Sequence, residues 1–217
     1  MKQENNNDST KERILNEAEV LFAEKGFDAV SVREITTAAE CNLAAMNYHF
    51  GHKKDLYLEV FRARWVPRAK RVQACFRSSL PAQGPLSPTA VARALAEAFL
   101  VGPLSDEERQ RHHQLMAREL AQPTEAFELL AQQVIRPFFK ELAEIFHTFM
   151  PEGLAEERLM LNILSIFAMV LYFNFARVAV SRITGRKYDS AFKARLVEHI
   201  MEFSLKGLGF DEKGALR

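Results

Sequence analysis

The sequence predicts an all-α fold of about nine helices. Apolar residues recur at helical spacing, at Ile14, Ala18, Leu21 and Phe22 and again along Phe127, Ala131, Val134, Phe138, Leu142, Ile145 and Phe149. Helix-start signals precede several of these runs. Ser9 with Glu12, Ser31 with Glu34 and Ser105 with Glu108 have capping-box spacing, and Ser87 precedes Pro88, a residue suited to the first helical position. Almost no segment alternates as a half-buried strand does.

Taken in order, the helices fall near residues 9–25, 31–39, 43–49, 53–79, 88–101, 105–121, 124–149, 154–183 and 190–207. Gly26 suits a left-handed stop for the first. A tight turn at Glu40–Asn42 joins the second to the third, and the segment 80–88, with its prolines and glycine, is a loop. Pro67 and Pro137 fall inside the fourth and seventh helices, where each removes a backbone donor and crowds the preceding turn, so both should kink or split their helix.

With 217 residues, 48% of them hydrophobic, the chain can fill a sizeable core. Its 29 basic and 28 acidic residues nearly cancel, to a formal +1, so composition does not announce a basic nucleic-acid binder and any such reading rests on local pattern. Cys41 and Cys75 show neither disulfide nor zinc spacing, which points to a reducing, cytoplasmic setting and to no structural metal. Residues 1–8, polar and Asn-rich, read as a disordered tail without the apolar stretch of a secretory signal. The apolar run Leu159–Ile183 is broken by Asn162, Ser165, Asn174 and Arg177, which favours a buried or dimer-forming helix over a membrane span.

Residues 9–57 have the outline of a helix-turn-helix domain: three short helices, the last two joined by the tight turn. The third, Leu43–His49, is too poor in large apolar residues for a core helix, and Asn42 is placed to cap it, so it can enter a major groove end-on. The run Gly26-Phe27, Ser31-Val32-Arg33-Glu34-Ile35, Asn42-Leu43-Ala44-Ala45-Met46-Asn47-Tyr48-His49-Phe50-Gly51, Lys53 and Leu56-Tyr57 closely resembles the TetR family of bacterial repressors. In detail the resemblance covers residues 9–60; beyond them it extends only to the number, order and total length of the helices.

That resemblance implies phosphate contacts by Ser31 and Arg33, base-edge contacts by Ala44, Ala45 and Asn47 next to the cap Asn42, and a backbone clamp by Tyr48, His49 and Lys53. The residue types suit those roles: Asn pairs with adenine or donates to phosphate, small side chains allow close approach, and Tyr and His donate to phosphate oxygens. Two positions depart from the family pattern. Glu40 stands where many relatives carry a turn glycine, and His52 replaces a common serine cap. Residues 1–57 hold seven Lys/Arg against ten Asp/Glu, a net −3, with Glu12, Glu17, Glu19 and Glu24 on the first helix expected to point away from DNA.

For residues 58–217 the resemblance implies a larger helical domain that binds an effector and dimerises. Fourteen of the 17 Phe lie beyond residue 60, enough to line an apolar cavity or to fill a plain core. The candidates for effector contact are Trp65, Phe99, His113, Met116, Phe138, Phe146, Met169, Tyr172 and Phe173, and the effector class is a small, largely apolar molecule. Arg177 is either an anchor for an anionic ligand group or a carboxylate partner across an interface. The family resemblance places a two-fold homodimer at the last two helices, 154–183 and 190–207. Effector binding then changes the separation of two recognition helices and releases a palindromic operator in double-stranded DNA, with the helix from Lys53 as carrier and Pro67 as hinge.

Three other function classes draw on parts of the sequence. An enzyme could draw on His112-His113 and Glu119, but no phosphate loop, metal spacing, nucleophile signature or cofactor motif accompanies them, so neither catalytic residues nor a cofactor are predicted. A thiol-based redox regulator would use Cys41 or Cys75. A helical dimer that binds no DNA would share the periodicity and lack the signature.

Overall fold

The computed structural model describes residues 2–82, 86–149 and 155–209. Met1, the centre of the predicted 80–88 loop, the predicted helix start at residue 154 and the last eight residues of the 58–217 segment lie outside them. Among the described residues there are twelve α-helical segments, two π turns and no strand. They are α1 (Lys2–Lys25), α2 (Val32–Ala38), α3 (Leu43–Phe50), α4 (Lys53–Val60), a π turn (Phe61–Trp65), α5 (Val66–Ser79), α6 (Pro88–Leu100) and α7 (Asp106–Ala121). Then follow α8 (Glu125–Leu130), a second π turn (Ala131–Ile135), α9 (Arg136–His147), α10 (Glu156–Phe175), α11 (Arg177–Thr184) and α12 (Ser190–Gly207). Joined through the π turns and at Ala176, these segments make nine continuous rods, the number the periodicity predicts.

One difference lies at the N-terminus: α1 is helical from Lys2, so Ser9 sits inside a helix rather than at its cap, and the predicted tail continues the helix. Once a helix is nucleated, each added residue gains a backbone hydrogen bond, and a polar run offers nothing to stop it.

Pro67 and Pro137 are accommodated by the same device. Each stands two residues after a π turn, and the carbonyls it would strike four residues earlier, those of Ala63 and Gln133, lie inside those turns. Widening the turn moves the carbonyl aside; in the first, the Val66 N–H donates to the Phe61 carbonyl, five residues back. The extra residue also shifts the buried face upstream of Pro137. Val134, Phe138 and Leu142 are buried as predicted, but before the turn burial falls on Ala126 and Leu130, not on Phe127.

The chain divides into two compact units, Met1–Ala69 with Ser105–Gln133, and Lys70–Leu104 with Val134–Arg217. The boundary expected at 57/58 therefore falls inside the first unit, because α7 packs on α1 and α8 on α4. Buried polar links hold that unit together. Arg68, 7% exposed, pairs with Glu19, 2% exposed, and Arg111 approaches the same carboxylate at 3.6 Å. Arg118 donates to the Ala23 and Glu24 carbonyls at the end of α1 and lies over Gly26, whose φ of +87° completes the predicted stop. Glu119, 1% exposed, accepts from the Tyr57 hydroxyl (2.7 Å), from Thr124 N–H (2.9 Å) and hydroxyl (3.0 Å), and from Phe127 N–H (3.1 Å). A carboxylate so fully engaged joins α4 and α7 to the start of α8, a structural use of the residue weighed above as catalytic.

In the second unit α6 is apolar on nearly every side, the mark of a buried helix. Val91, Ala94, Leu95 and Ala98 join Val72, Phe76, Phe138, Leu142, Phe146, Leu159, Ile163 and Ile166 in one cluster. Ala96 and Leu100 join Val170, Val180, Phe192, Leu196, Val197 and Ile200 in another. Its small alanines let α10 and α12 approach closely, and buried Asn174 ties α10 to α6 by donating to the Phe99 carbonyl (3.2 Å).

Candidate nucleic-acid interface

The α2–turn–α3 element is set by three local devices. At its start Ser31 and Glu34 form the predicted capping box: the Glu34 N–H donates to Ser31 Oγ (3.1 Å) and the Ser31 N–H to Glu34 Oε2 (2.8 Å). Those bonds, with Lys25 at 3.0 Å, hold the Glu34 carboxyl down at about 2, the Ser31 backbone donor acting most strongly. At the end of α2 Cys41 N–H donates to the Thr36 carbonyl (2.9 Å) and Glu40 N–H to that of Thr37 (3.2 Å), the paired bonds of a Schellman stop. Its left-handed residue is Glu40, with φ of 50°, among the described residues the one non-glycine with positive φ. The chain therefore adopts a glycine conformation at a position without glycine. Third, Asn42 Oδ1 accepts from Ala45 N–H (2.8 Å) and starts α3.

These devices present one face of α3. Met46 and Phe50 are buried and anchor it, while Ala44, Asn47 and Tyr48 are exposed, Tyr48 by 76%. Ala45 and His49 are half-buried, and the His49 ring lies 5.1 Å from that of Tyr48. Arg33 is exposed and in no ion pair among the described residues. Asn42 commits Oδ1 to its cap and offers its amide N–H groups outward, whereas the Ser31 hydroxyl both accepts from Glu34 N–H (3.1 Å) and donates to Glu34 Oε2 (2.9 Å), which leaves it no donor for the phosphate contact the resemblance implies. Lys53 is tied inward: its ammonium donates to the Phe27 and Val30 carbonyls (2.9 Å each) and lies 4.2 Å from the Phe27 ring centre, with one donor remaining. At His52 the backbone N–H donates to Asp55 Oδ2 (3.3 Å), so Asp55 supports the start of α4 where a serine side chain is absent. Leu43, 56% exposed at the first position of α3, belongs to the presented face although sequence reasoning passed over it as an apolar residue.

Two of the four acids named on α1 are neutralised from outside residues 1–57, Glu12 by Arg64 (2.5 Å) and Glu19 by Arg68 and Arg111, while Glu17 is half-buried and Glu24 exposed. Cys41 is half-buried, and burial raises its thiol above the usual range while Arg13 acts against the shift. Such a thiol is a weak nucleophile.

The ten predicted effector-contact residues do not fall in one unit. Trp65, His113 and Met116 belong to the first, where Trp65 stacks on His112 at 4.3 Å and donates to its carbonyl (3.0 Å). The other seven belong to the second. There Phe99, Phe138 and Phe167 form an aromatic group with ring centres 4.8–6.2 Å apart, and Phe146 is fully buried in the same core. Met169, Phe173 and Arg177 are half-buried, and Tyr172 is 53% exposed. A cleft of about 470 Å³ in the second unit is lined instead by Cys75, Arg93, Glu97, Val101, Val197 and Glu198 among others. Arg93 and Glu198 make a two-pronged pair across it (2.5 and 2.8 Å), which raises the guanidinium and lowers the carboxyl. Nothing local in the sequence brings α6 and α12 together there.

Residues 14–60 match the family model for bacterial regulatory proteins of the tetR family, and residues 88–208 match that for the C-terminal domain of the HTH-type transcriptional dual regulator CecR. CecR of Shigella flexneri is 25% identical over 187 residues, 82% of this chain and 81% of its own. Among solved structures, a TetR-like transcriptional regulator from Rhodococcus sp. RHA1 superposes with a TM-score of 0.64 at 14% identity, covering 92% of this chain and 95% of its own. Another transcriptional regulator from the same genus gives 0.63 at 16% identity, over 91% and 96%. At these identities the solved structures establish a shared fold.

Proposed function

From the premise that the chain belongs to the TetR family of transcriptional regulators, with a CecR-type C-terminal domain, we propose that it is a dimeric, effector-responsive, cytoplasmic repressor of a palindromic operator. The observation that carries the reading is the exposed face of α3, with the Ala44, Asn47 and Tyr48 side chains in no hydrogen bond and Arg33 beside it in no ion pair among the described residues. Asn47 and the alanines read base edges; Arg33, Tyr48 and His49, with the remaining Lys53 donor, hold phosphates.

A second copy is supported by the apolar stripe that α10 leaves uncovered. Leu161, Leu164 and Tyr172 are 45–55% exposed, and Phe203 on α12 is 60% exposed. By length and composition α10 could also cross a membrane, but the Asn174 bond to α6 and the burial of Leu159, Ile163, Ile166 and Val170 support packing in protein. A two-fold axis through these helices sets two α3 helices on half-sites roughly 34–36 Å apart, and an effector favouring another separation lowers affinity. The effector is a small, largely apolar molecule held in the second unit. The designation of the Shigella relative as a dual regulator supports activation at some promoters beside repression.

The test is binding to the chain's own upstream intergenic DNA across a salt series, with unrelated DNA and an Asn47→Ala, Tyr48→Ala variant beside it. Specific, salt-dependent binding that the variant loses supports the reading. Equal, weak binding to all DNA counts against it and favours a helical dimer that binds no DNA.

A further inference from the structure

We infer that Leu43 reads the 5-methyl group of a thymine in the operator half-site, an assignment that rests on the DNA-binding reading above and specifies one base of it. Leu43 is the first residue of α3, just after the Asn42 cap, and the end of the helix that starts there enters a groove first. Its side chain is 56% exposed, while Met46 and Phe50 of the same helix are buried. It therefore contributes little to the core, and what distinguishes it from other exposed apolar residues is its place at the entering end of α3. Four residues on, Asn47 lies one turn below it on the same exposed face, and Ala44 beside it keeps the surface low.

In the major groove the one apolar feature of the base edges is the thymine methyl, and leucine has no donor or acceptor with which to read anything else there. Ala44 and Ala45 can also touch a thymine methyl, but their short side chains reach only a base directly against the helix, whereas the longer Leu43 side chain reaches a further one at the helix start, where Asn42 is polar and committed to the cap. A thymine contacted by Leu43, next to the base read by Asn47, is the arrangement this face presents.

The test removes only the methyl. Duplexes are selected by the full-length protein from a random pool, and each thymine of the selected half-site is replaced in turn by deoxyuridine, which keeps every hydrogen-bonding group. Burial of one methyl is worth about 0.8 kcal/mol, or about fourfold in affinity. Wild-type protein is expected to lose about fourfold at one thymine, whereas Leu43→Ala and Leu43→Gln bind thymine and deoxyuridine there equally. Both variants alter an exposed first-turn residue, and an unchanged melting temperature verifies the fold. Specific wild-type binding with no methyl-sensitive thymine overturns the inference and leaves the DNA-binding reading intact, as does methyl sensitivity that persists in both variants. Failure to enrich any sequence overturns both.

Discussion

Replacing Glu40 by glycine should stabilise the protein. Glu40 holds φ of 50° in the Schellman stop between α2 and α3, and both bonds of that stop are made by main-chain N–H groups, so no side-chain contact is forfeited. A left-handed L-residue costs about 1–2 kcal/mol, and the freedom that glycine adds to the unfolded chain returns about 0.4–1 kcal/mol of that. The net expectation for Glu40→Gly is a gain of about 0.5–1 kcal/mol, or a melting temperature higher by about 1–4 °C for a chain of this size. Glu40→Gln removes the charge but keeps the strain and serves as the control, expected within about 0.5 kcal/mol of wild type. Thermal and urea unfolding of the three proteins, followed by circular dichroism, measure the difference. Should the glycine variant prove no more stable than the glutamine variant, backbone strain is not stored at this turn and the account of the stop is wrong.

Glu119→Ala strips the acceptor from Tyr57, Thr124 and Phe127 in a site 1% exposed, and should cost about 3–5 kcal/mol in urea unfolding; a loss under about 1 kcal/mol would show that water replaces the carboxylate. Glu34 titrates at about 2 in the folded chain, below its unfolded value, so its contribution is present above the ordinary carboxylate range and lost as pH falls through about 2. Glu34→Gln should therefore be less stable than wild type near neutral pH, with the gap closing on acidification; a gap independent of pH would mean that the capping box acts without the charge.

Much of the fold was legible because its signals are local. The Ser31–Glu34 and Ser105–Glu108 boxes, the Asn42 cap and the Gly26 stop each involve residues within a turn of one another, and all four stand as read. Ser9–Glu12 has the same spacing inside a helix that continues through it, because a capping pattern carries no information about whether the chain before it stops. The membership of Ser105–Gln133 in the first unit was not legible: Glu19 meets Arg68 and Arg111 across long stretches of chain, and nothing near either partner announces it. The π turns lay hidden for a related reason. Each proline was visible, but whether a helix answers it with a kink or a wider turn is settled by packing on both sides. Leu43 was missed because base-edge roles were assigned to polar and small residues, and only its exposure sets an apolar residue on that face.

The acidic balance of residues 1–57 also takes its meaning from tertiary pairing. Counted along the chain, net −3 argues against approach to a polyanion. Counted by face, the objection weakens: Glu12 and Glu19 are held by Arg64, Arg68 and Arg111, and Glu34 is divided between a cap and Lys25. None of the eight residues of α3 is acidic, and Arg33 beside it is in no ion pair among the described residues. What governs approach to DNA is the field over the surface that meets it, where paired charges largely cancel within a Debye length of about 8–10 Å. Glu12 and Glu19 thus fasten α7 and the middle of the α4–α5 rod to α1, and the same pairing that builds the unit offsets their repulsion of DNA.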